Sequence, residues 1–159
     1  MNEKRSIGYS FGAVPSLVLE NRHPEMIQNV FFFAPLIVWD SANITNNEIN
    51  NSREGNLALQ SAADLAIFGG PKKLREFNNA TWRLWKGNKC PQKMNFFFGD
   101  LDEISKPSQL PKHVQLNSSI IIQEKMQHGA LGAAGTDGDE LWDFVFKKLD
   151  AIESADRGC

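Results

Sequence analysis

The stretch Asn29–Trp39, NVFFFAPLIVW, decides the fold because it contains the longest apolar run of the chain. That run covers residues 30–39 and includes Pro35, whereas a membrane-spanning helix needs about 20 apolar residues. We therefore predict no membrane span, and a buried strand instead. Proline cannot donate to a strand ladder, so Pro35 should split this strand or lie at a bulge or an edge.

Working outward from this stretch, three further segments are rich in Val, Ile, Leu and Phe and are bounded by turn residues. They are Val14–Glu20, Lys93–Phe98 and Val114–Gln123. Such short apolar segments are typical of strands, and we predict a strand at each of them.

Helical spacing marks three other regions. Residues 52–68 form one predicted helix, and Gly69 and Gly70 end it. Pro71 then begins a second helix at its first position, where the missing amide donor costs nothing. A third helix is predicted over about residues 139–154, with Asp137 or Asp139 as its cap. The sequence thus predicts a single α+β domain, residues 1–159, in which a helix pair and a C-terminal helix pack on a mixed or antiparallel sheet.

Composition limits the class of protein. The chain has 159 residues, of which 42% are hydrophobic and 23% charged, as in ordinary globular proteins. Its amino end is a poor secretory signal. Only Cys90 and Cys159 are cysteines, and their spacing shows no disulfide or metal pattern. We therefore expect a cytoplasmic protein without a structural metal.

A glycine-rich turn at residues 129–138 precedes the last predicted helix. Gly129, Gly132 and Gly135 follow one another at intervals of three, which matches neither standard phosphate-binding motif. Asp137 and Asp139 would also repel a phosphate group. The turn therefore predicts a flexible connector, and we expect no cofactor.

Acidic residues cluster at this turn and at an earlier one, which contains Asp100, Asp102 and Glu103. Two carboxylates near His113 or His128 could perform acid and base chemistry. The alternative is that these turns are simply solvated. His23, His113 and His128 are isolated in sequence, so a zinc site is not expected.

Cys90 is a possible nucleophile, because three nearby lysines would favour its thiolate form. Gly87 and Pro91 instead indicate an ordinary loop cysteine. We assign no catalytic residue. We also expect no nucleophile elbow of the Gly-x-Ser-x-Gly type, and therefore no hydrolase chemistry.

The strongest feature of the sequence is electrostatic. Residues 71–93 contain seven basic residues and one acidic residue, a net charge of +6 against −8 for the rest of the chain. At helical spacing these residues form a basic stripe with Trp82 at its border. The stripe is either a solvated face or a site for a polyanion or a protein partner, and its members are Lys72, Arg75, Asn79, Trp82, Arg83 and Lys86.

The last predicted helix has excess apolar surface. Phe144 points away from the broad apolar face that includes Trp142 and Phe146. Together with Phe31 and Phe33 of the first strand stretch, Phe144 is a candidate oligomer interface. The leading interpretation is therefore a non-catalytic protein that forms homo-oligomers, preferably dimers, and binds a partner or ligand.

Two alternatives remain. One is a small-molecule-binding protein or an enzyme whose site is built from the acidic turns. The other is nucleic-acid binding through the basic stripe, which the net charge of −2 makes unlikely.

Overall fold

The computed structural model describes residues 4–37, 71–102 and 105–128, together with residues 143, 146 and 147. Four strands and three helices alternate along these segments, and short 3₁₀ turns precede some of them. In chain order they are β1 (Arg5–Tyr9), α1 (Ala13–Arg22), β2 (Asn29–Phe33), α2 (Pro71–Gly87), β3 (Met94–Gly99), α3 (Lys112–Asn117) and β4 (Ser119–Gln123).

The four described strands form one parallel sheet in the order β1-β2-β3-β4. The predicted α+β class with a mixed or antiparallel sheet is therefore wrong. Strands that alternate with helices along the chain pair in parallel, since each helix carries the chain back to the same end of the sheet. Every residue of β2 and β3 is buried, as expected for inner strands of a parallel sheet covered on both faces.

One predicted strand is a helix throughout, and a second is a helix in its first half. Val14–Glu20 lies in α1, whose buried residues Ala13, Ser16, Leu17 and Glu20 follow helical spacing. Polar Ser16 and Glu20 occupy buried positions, so the helical pattern is not visible as an apolar pattern. In Val114–Gln123 only the second half is a strand, because α3 occupies the first half.

Other predictions are confirmed. β2 ends at Phe33, just before Pro35, and Ala34 between them has a φ of 40°. β3 matches the strand predicted over residues 93–98 to within one residue. α2 begins at Pro71 as predicted.

Aromatic side chains fill the core between the sheet and α2. Phe32 of β2 stacks on Phe96 of β3 with ring centroids 5.1 Å apart, and it meets Trp85 of α2 edge to face at 5.0 Å. All three side chains are completely buried. They fix α2 against the sheet, and so position the residues of α2 that flank the site described below.

Some of the predicted helices lie outside the described residues. These are the predicted helix over residues 52–68 and most of the last helix, of which Asp143, Phe146 and Lys147 are helical. Within the described part of the chain, no helix combines the length and the apolar character needed to cross a membrane.

Candidate active site

The carboxyl ends of β1, β3 and β4 meet at one edge of the sheet, because all described strands are parallel. This edge is where open α/β sheets place their binding sites. Three side chains come together there: Ser10 follows β1, Asp102 follows β3 and His128 follows β4.

Ser10 lies on a sharp turn between β1 and α1. Its φ of 48° is unusual for a residue other than glycine. A Cβ atom on Gly8 would lie 2.7 Å from the Cα atom of Ala13, so only glycine allows the strand to approach the helix this closely. The main chain of Ser10 is fixed as well, because its carbonyl oxygen accepts a hydrogen bond of 2.9 Å from the amide of Leu36. The serine hydroxyl is thereby held at the sheet edge.

His128 is the direct partner of this hydroxyl. Its Nε2 atom lies 2.9 Å from Ser10 Oγ, although 118 positions separate the two residues in sequence. The loop that carries His128 packs closely on the end of β3, because a Cβ atom on Gly99 would lie 2.1 Å from the carbonyl oxygen of Met126. Met126 also donates its amide to Asp100 Oδ1 at 3.2 Å. The end of β3 therefore sets the position of the histidine loop.

Asp102 completes the arrangement. Its Oδ2 atom lies 2.9 Å from His128 Nδ1, and its side chain is fully buried, whereas that of His128 is 19% exposed. The second carboxylate oxygen, Oδ1, accepts a hydrogen bond of 2.9 Å from the amide of Ser105. Ser105 is itself tied by its hydroxyl to the carbonyl oxygen of Pro35 at 2.6 Å. The carboxylate is thus held in one orientation toward the imidazole.

Serine, histidine and aspartate in this hydrogen-bonded order can perform nucleophilic catalysis. The imidazole takes the proton of the hydroxyl, and the aspartate fixes the ring and stabilises its positive charge. The strand, sharp turn and helix around Ser10, and the chain order Ser10, Asp102, His128, both match the nucleophile elbow arrangement.

Sequence analysis missed Ser10, although a signal was present. Residues 8–12 read GYSFG, a Gly-x-Ser-x-Gly motif directly before α1. The expectation that the chain contains no elbow of this type is therefore wrong, and the strand that precedes it, RSIGY, has little apolar character. The expectation of no hydrolase chemistry is therefore wrong in its premise.

The other candidate residues of the acidic turns are placed differently. Asp102 reaches His128, whereas Asp100 binds the histidine loop through the amide of Met126. Glu103 lies outside the described residues, as do Asp137, Asp139 and the glycine-rich turn. His113 belongs to α3. His23 follows α1, and its Nδ1 atom lies 3.6 Å from Glu25 Oε1. Among the described residues, no group of three or more His, Cys, Asp or Glu is arranged to hold a metal ion.

Cys90 is buried and disulfide-bonded, so it offers no thiolate nucleophile. Disulfides are rare in reducing compartments. The cytoplasmic location stays a prediction. The disulfide removes the argument from cysteine spacing, and the poor secretory signal is the argument that is left.

The basic stripe lies on α2. Its described side chains are exposed, while Thr81 and Trp85 on the same helix are buried. The side chain of Arg75 is outside the described set. The exposed members are Lys72, Asn79, Trp82, Arg83 and Lys86. Binding of a polyanion or partner there stays a prediction.

The predicted oligomer interface is only partly described. Phe31 and Phe33 are each 1% exposed, so their own chain already covers them. Phe146, placed by sequence analysis on a covered face, is 56% exposed, and Phe144 lies outside the described residues. Self-association stays a prediction.

The known proteins that resemble this chain do so in structure and not in sequence. No protein-family model matches the chain, and no curated protein matches it in sequence. A monoacylglycerol lipase from Paleococcus ferrophilus superposes with a TM-score of 0.55 at 12% identity, covering 92% of this chain and 68% of the lipase.

Two further structures agree with this likeness. An α/β hydrolase from the metagenome of lagoon sediments at Mar Chica, Morocco, has a TM-score of 0.50 at 16% identity, covering 93% of this chain and 63% of its own. A serine hydrolase from Cycloclasticus zankles has a TM-score of 0.51 at 14% identity, covering 92% of this chain and 65% of its own. The chain thus spans about two thirds of the length of these hydrolases.

These neighbours, together with the triad geometry, contradict the leading sequence-based interpretation of a non-catalytic α+β binding protein. Its premise was that no group of residues suited to catalysis is present, whereas Ser10, Asp102 and His128 follow three separate strands and are hydrogen-bonded to one another. The parallel sheet, the order of its strands and the structural likenesses together show that the chain has the α/β-hydrolase fold.

Proposed function

We propose that this protein is a serine hydrolase that cleaves carboxylic esters or thioesters through an acyl-enzyme intermediate. One observation carries the proposal: Ser10 Oγ, the two ring nitrogens of His128 and Asp102 Oδ2 form a continuous hydrogen-bonded chain, with 2.9 Å at each link. The sharp turn at Ser10 and the burial of Asp102 support it.

In the first half of the proposed reaction, Ser10 Oγ attacks the acyl carbonyl carbon while His128 Nε2 takes the hydroxyl proton. The same proton then passes from His128 to the departing alcohol or thiol, as the bond between the acyl carbon and the leaving group breaks. Asp102 accepts the Nδ1 hydrogen bond throughout and stabilises the imidazolium form. In the second half, water attacks the acyl carbon while His128 Nε2 takes one of its protons. The bond between the acyl carbon and Ser10 Oγ then breaks, the same proton returns from His128 to Oγ, and the carboxylic acid leaves.

The negative oxygen of each tetrahedral intermediate needs hydrogen-bond donors. In a nucleophile elbow, the amide of the residue after the serine is one such donor, and here that residue is Phe11. One donor of this kind contributes about 100- to 1,000-fold to the rate of acyl transfer. We assign this role to the amide of Phe11.

The surface beside Ser10 favours an apolar acyl group. The ring of Phe11 is 45% exposed and stacks on Phe77 of α2, with centroids 5.6 Å apart and an interplanar angle of 14°. Burial of each CH₂ group of an acyl chain against such a surface is worth about 0.8 kcal/mol. An ester of a medium-length fatty acid therefore fits the site better than an acetate ester.

Hydrolysis of p-nitrophenyl esters of two to eight acyl carbons tests the proposal. We expect turnover by the wild-type protein and a loss of at least about 1,000-fold in Ser10→Ala, because the nucleophile is removed. Ser6→Ala is the matched control, since Ser6 lies on the same strand outside the hydrogen-bonded chain. Equal activity in wild type and Ser10→Ala would refute the proposal.

A further inference from the structure

The aromatic residue just before the nucleophile contacts the histidine in two ways. Tyr9 is the last residue of β1 and the single tyrosine of the chain. Its hydroxyl donates a hydrogen bond of 2.8 Å to the main-chain carbonyl oxygen of His128. Its ring also stacks on the imidazole, with centroids 6.2 Å apart and an interplanar angle of 29°. One side chain therefore touches both the backbone and the ring of His128.

The remaining contacts of this loop lie farther back along the chain. Met126 donates its amide to Asp100 and accepts a hydrogen bond of 3.1 Å from the amide of Leu101. These bonds hold the main chain two residues before His128. Within the described segments, the bond from Tyr9 is the one hydrogen bond to the main chain of His128 itself.

The chemistry of the phenol suits a permanent donor. Tyr9 is 36% exposed, and the partial burial of its side chain raises its pKa above the ordinary value of 10.0; the negative charge of Asp102 raises this pKa further. The hydroxyl consequently keeps its proton throughout the pH range in which an ester hydrolase is assayed.

We propose that Tyr9 is a positioning residue, which ties the main chain and ring of His128 to the strand that carries Ser10. Because Tyr9 and Ser10 are neighbours in sequence, this tie limits movement of the imidazole relative to the nucleophile. Asp102 orients the ring from its Nδ1 side, and Tyr9 holds the backbone from the side of β1. The catalytic part of the inference rests on the proposed hydrolase function, but the contact itself does not.

The variant Tyr9→Phe tests this role, because it keeps the ring and removes only the hydroxyl. Loss of one neutral hydrogen bond changes an equilibrium by roughly 2- to 10-fold. We expect kcat to fall by about 2- to 10-fold with KM within about twofold, since substrate contacts are unchanged. Asn117→Ala is the control: it removes an exposed hydrogen bond of 2.7 Å to the carbonyl of His113 on α3, and should keep the wild-type kcat.

A second measurement requires no substrate. Nuclear magnetic resonance of the imidazole protons, with the His128 signals identified by their loss in His128→Gln, follows the ring directly among the three histidines. We expect the Nδ1 proton of His128 to exchange with water at least about threefold faster in Tyr9→Phe, because the ring moves more freely. The ring signals of His23 should stay unchanged.

The outcomes separate the two proposals. If the wild-type protein hydrolyses no ester, the proposed function fails, and the exchange rate alone decides the role of Tyr9. If Tyr9→Phe is folded at the assay temperature and keeps both the wild-type kcat and the wild-type exchange rate, Tyr9 does not position His128, whatever the activity of the protein. An unchanged kcat with faster exchange would also overturn the catalytic part of the inference.

Discussion

Replacement of Gly99 by alanine tests whether the end of β3 positions His128, the general base of the proposed reaction. A Cβ atom added at Gly99 would lie 2.1 Å from the carbonyl oxygen of Met126 and 2.7 Å from its carbonyl carbon. Ordinary contact between a carbon and an oxygen atom requires more than 3 Å, so the main chain at Met126 must retreat by about 1 Å. The atom in the way belongs to the backbone, so no side-chain rotation relieves the clash.

The displacement has a kinetic consequence because His128 follows Met126 by two residues. A misplacement of about 1 Å in a catalytic group costs roughly 100-fold in rate. We therefore expect kcat for p-nitrophenyl esters to fall by about 100-fold in Gly99→Ala. Met126 accepts a hydrogen bond from the amide of Leu101 and donates one to the carboxylate of Asp100. Both bonds should weaken together with this loss of rate.

The matched control is Gly87→Ala at the end of α2, where an added Cβ atom meets nothing within 4 Å. It should keep kcat within about twofold of wild type. Circular dichroism and the melting temperature show whether each variant is folded at the assay temperature. A folded Gly99→Ala protein with kcat within threefold of wild type would refute the idea that this contact sets the position of His128.

Three further predictions follow from the same structure. Asp102→Asn should keep the fold but lower kcat by about 1,000- to 10,000-fold, because the amide favours the wrong imidazole tautomer; steady-state kinetics that show less than a tenfold loss would exclude this role. Phe77→Ala should lower kcat/KM by about tenfold for an octanoate ester and by no more than twofold for an acetate ester, whereas equal losses would mean that the acyl chain lies elsewhere. Burial raises the pKa of Glu20, so its stabilising contribution is complete below pH 4.5 and is lost as the pH rises through the raised value. The melting temperature of wild type minus that of Glu20→Gln should accordingly fall between pH 4 and pH 7. A difference that stays constant or rises would contradict a raised pKa for Glu20.

The sequence predicts those elements whose local signals agree with their environment. β3 is a short run of apolar residues that is buried on both faces, and α2 begins at a proline and carries one apolar face, so both are predicted at nearly the correct positions. β1 and α1 are not, because RSIGY has little apolar character and because buried Glu20 interrupts the apolar pattern of α1. In α1, burial against the sheet outweighs local propensity.

The sheet type and the site follow from tertiary structure. Parallel pairing arises when each strand is followed by a helix that returns the chain to the same end of the sheet. Because α1 was predicted as a strand, the alternation of strands and helices was not visible in the sequence. Asp102 and His128 stand 26 positions apart, so their spacing carries no motif, and only the sheet edge brings them together. Ser10 is different, since its Gly-x-Ser-x-Gly motif is visible in the sequence and marks the serine as a candidate nucleophile without a structure.

Covalent labelling of the nucleophile tests the central claim most directly. A fluorophosphonate probe reacts with an activated serine hydroxyl, whose oxygen bonds to phosphorus as fluoride leaves. Mass spectrometry of the intact and digested protein should find one probe per chain, on the peptide that contains Ser10. The label should be absent from Ser10→Ala and should form at least about 100-fold more slowly in His128→Gln. No incorporation into the folded wild-type protein, or incorporation that persists in Ser10→Ala, would contradict the claim that Ser10, His128 and Asp102 form a catalytic triad.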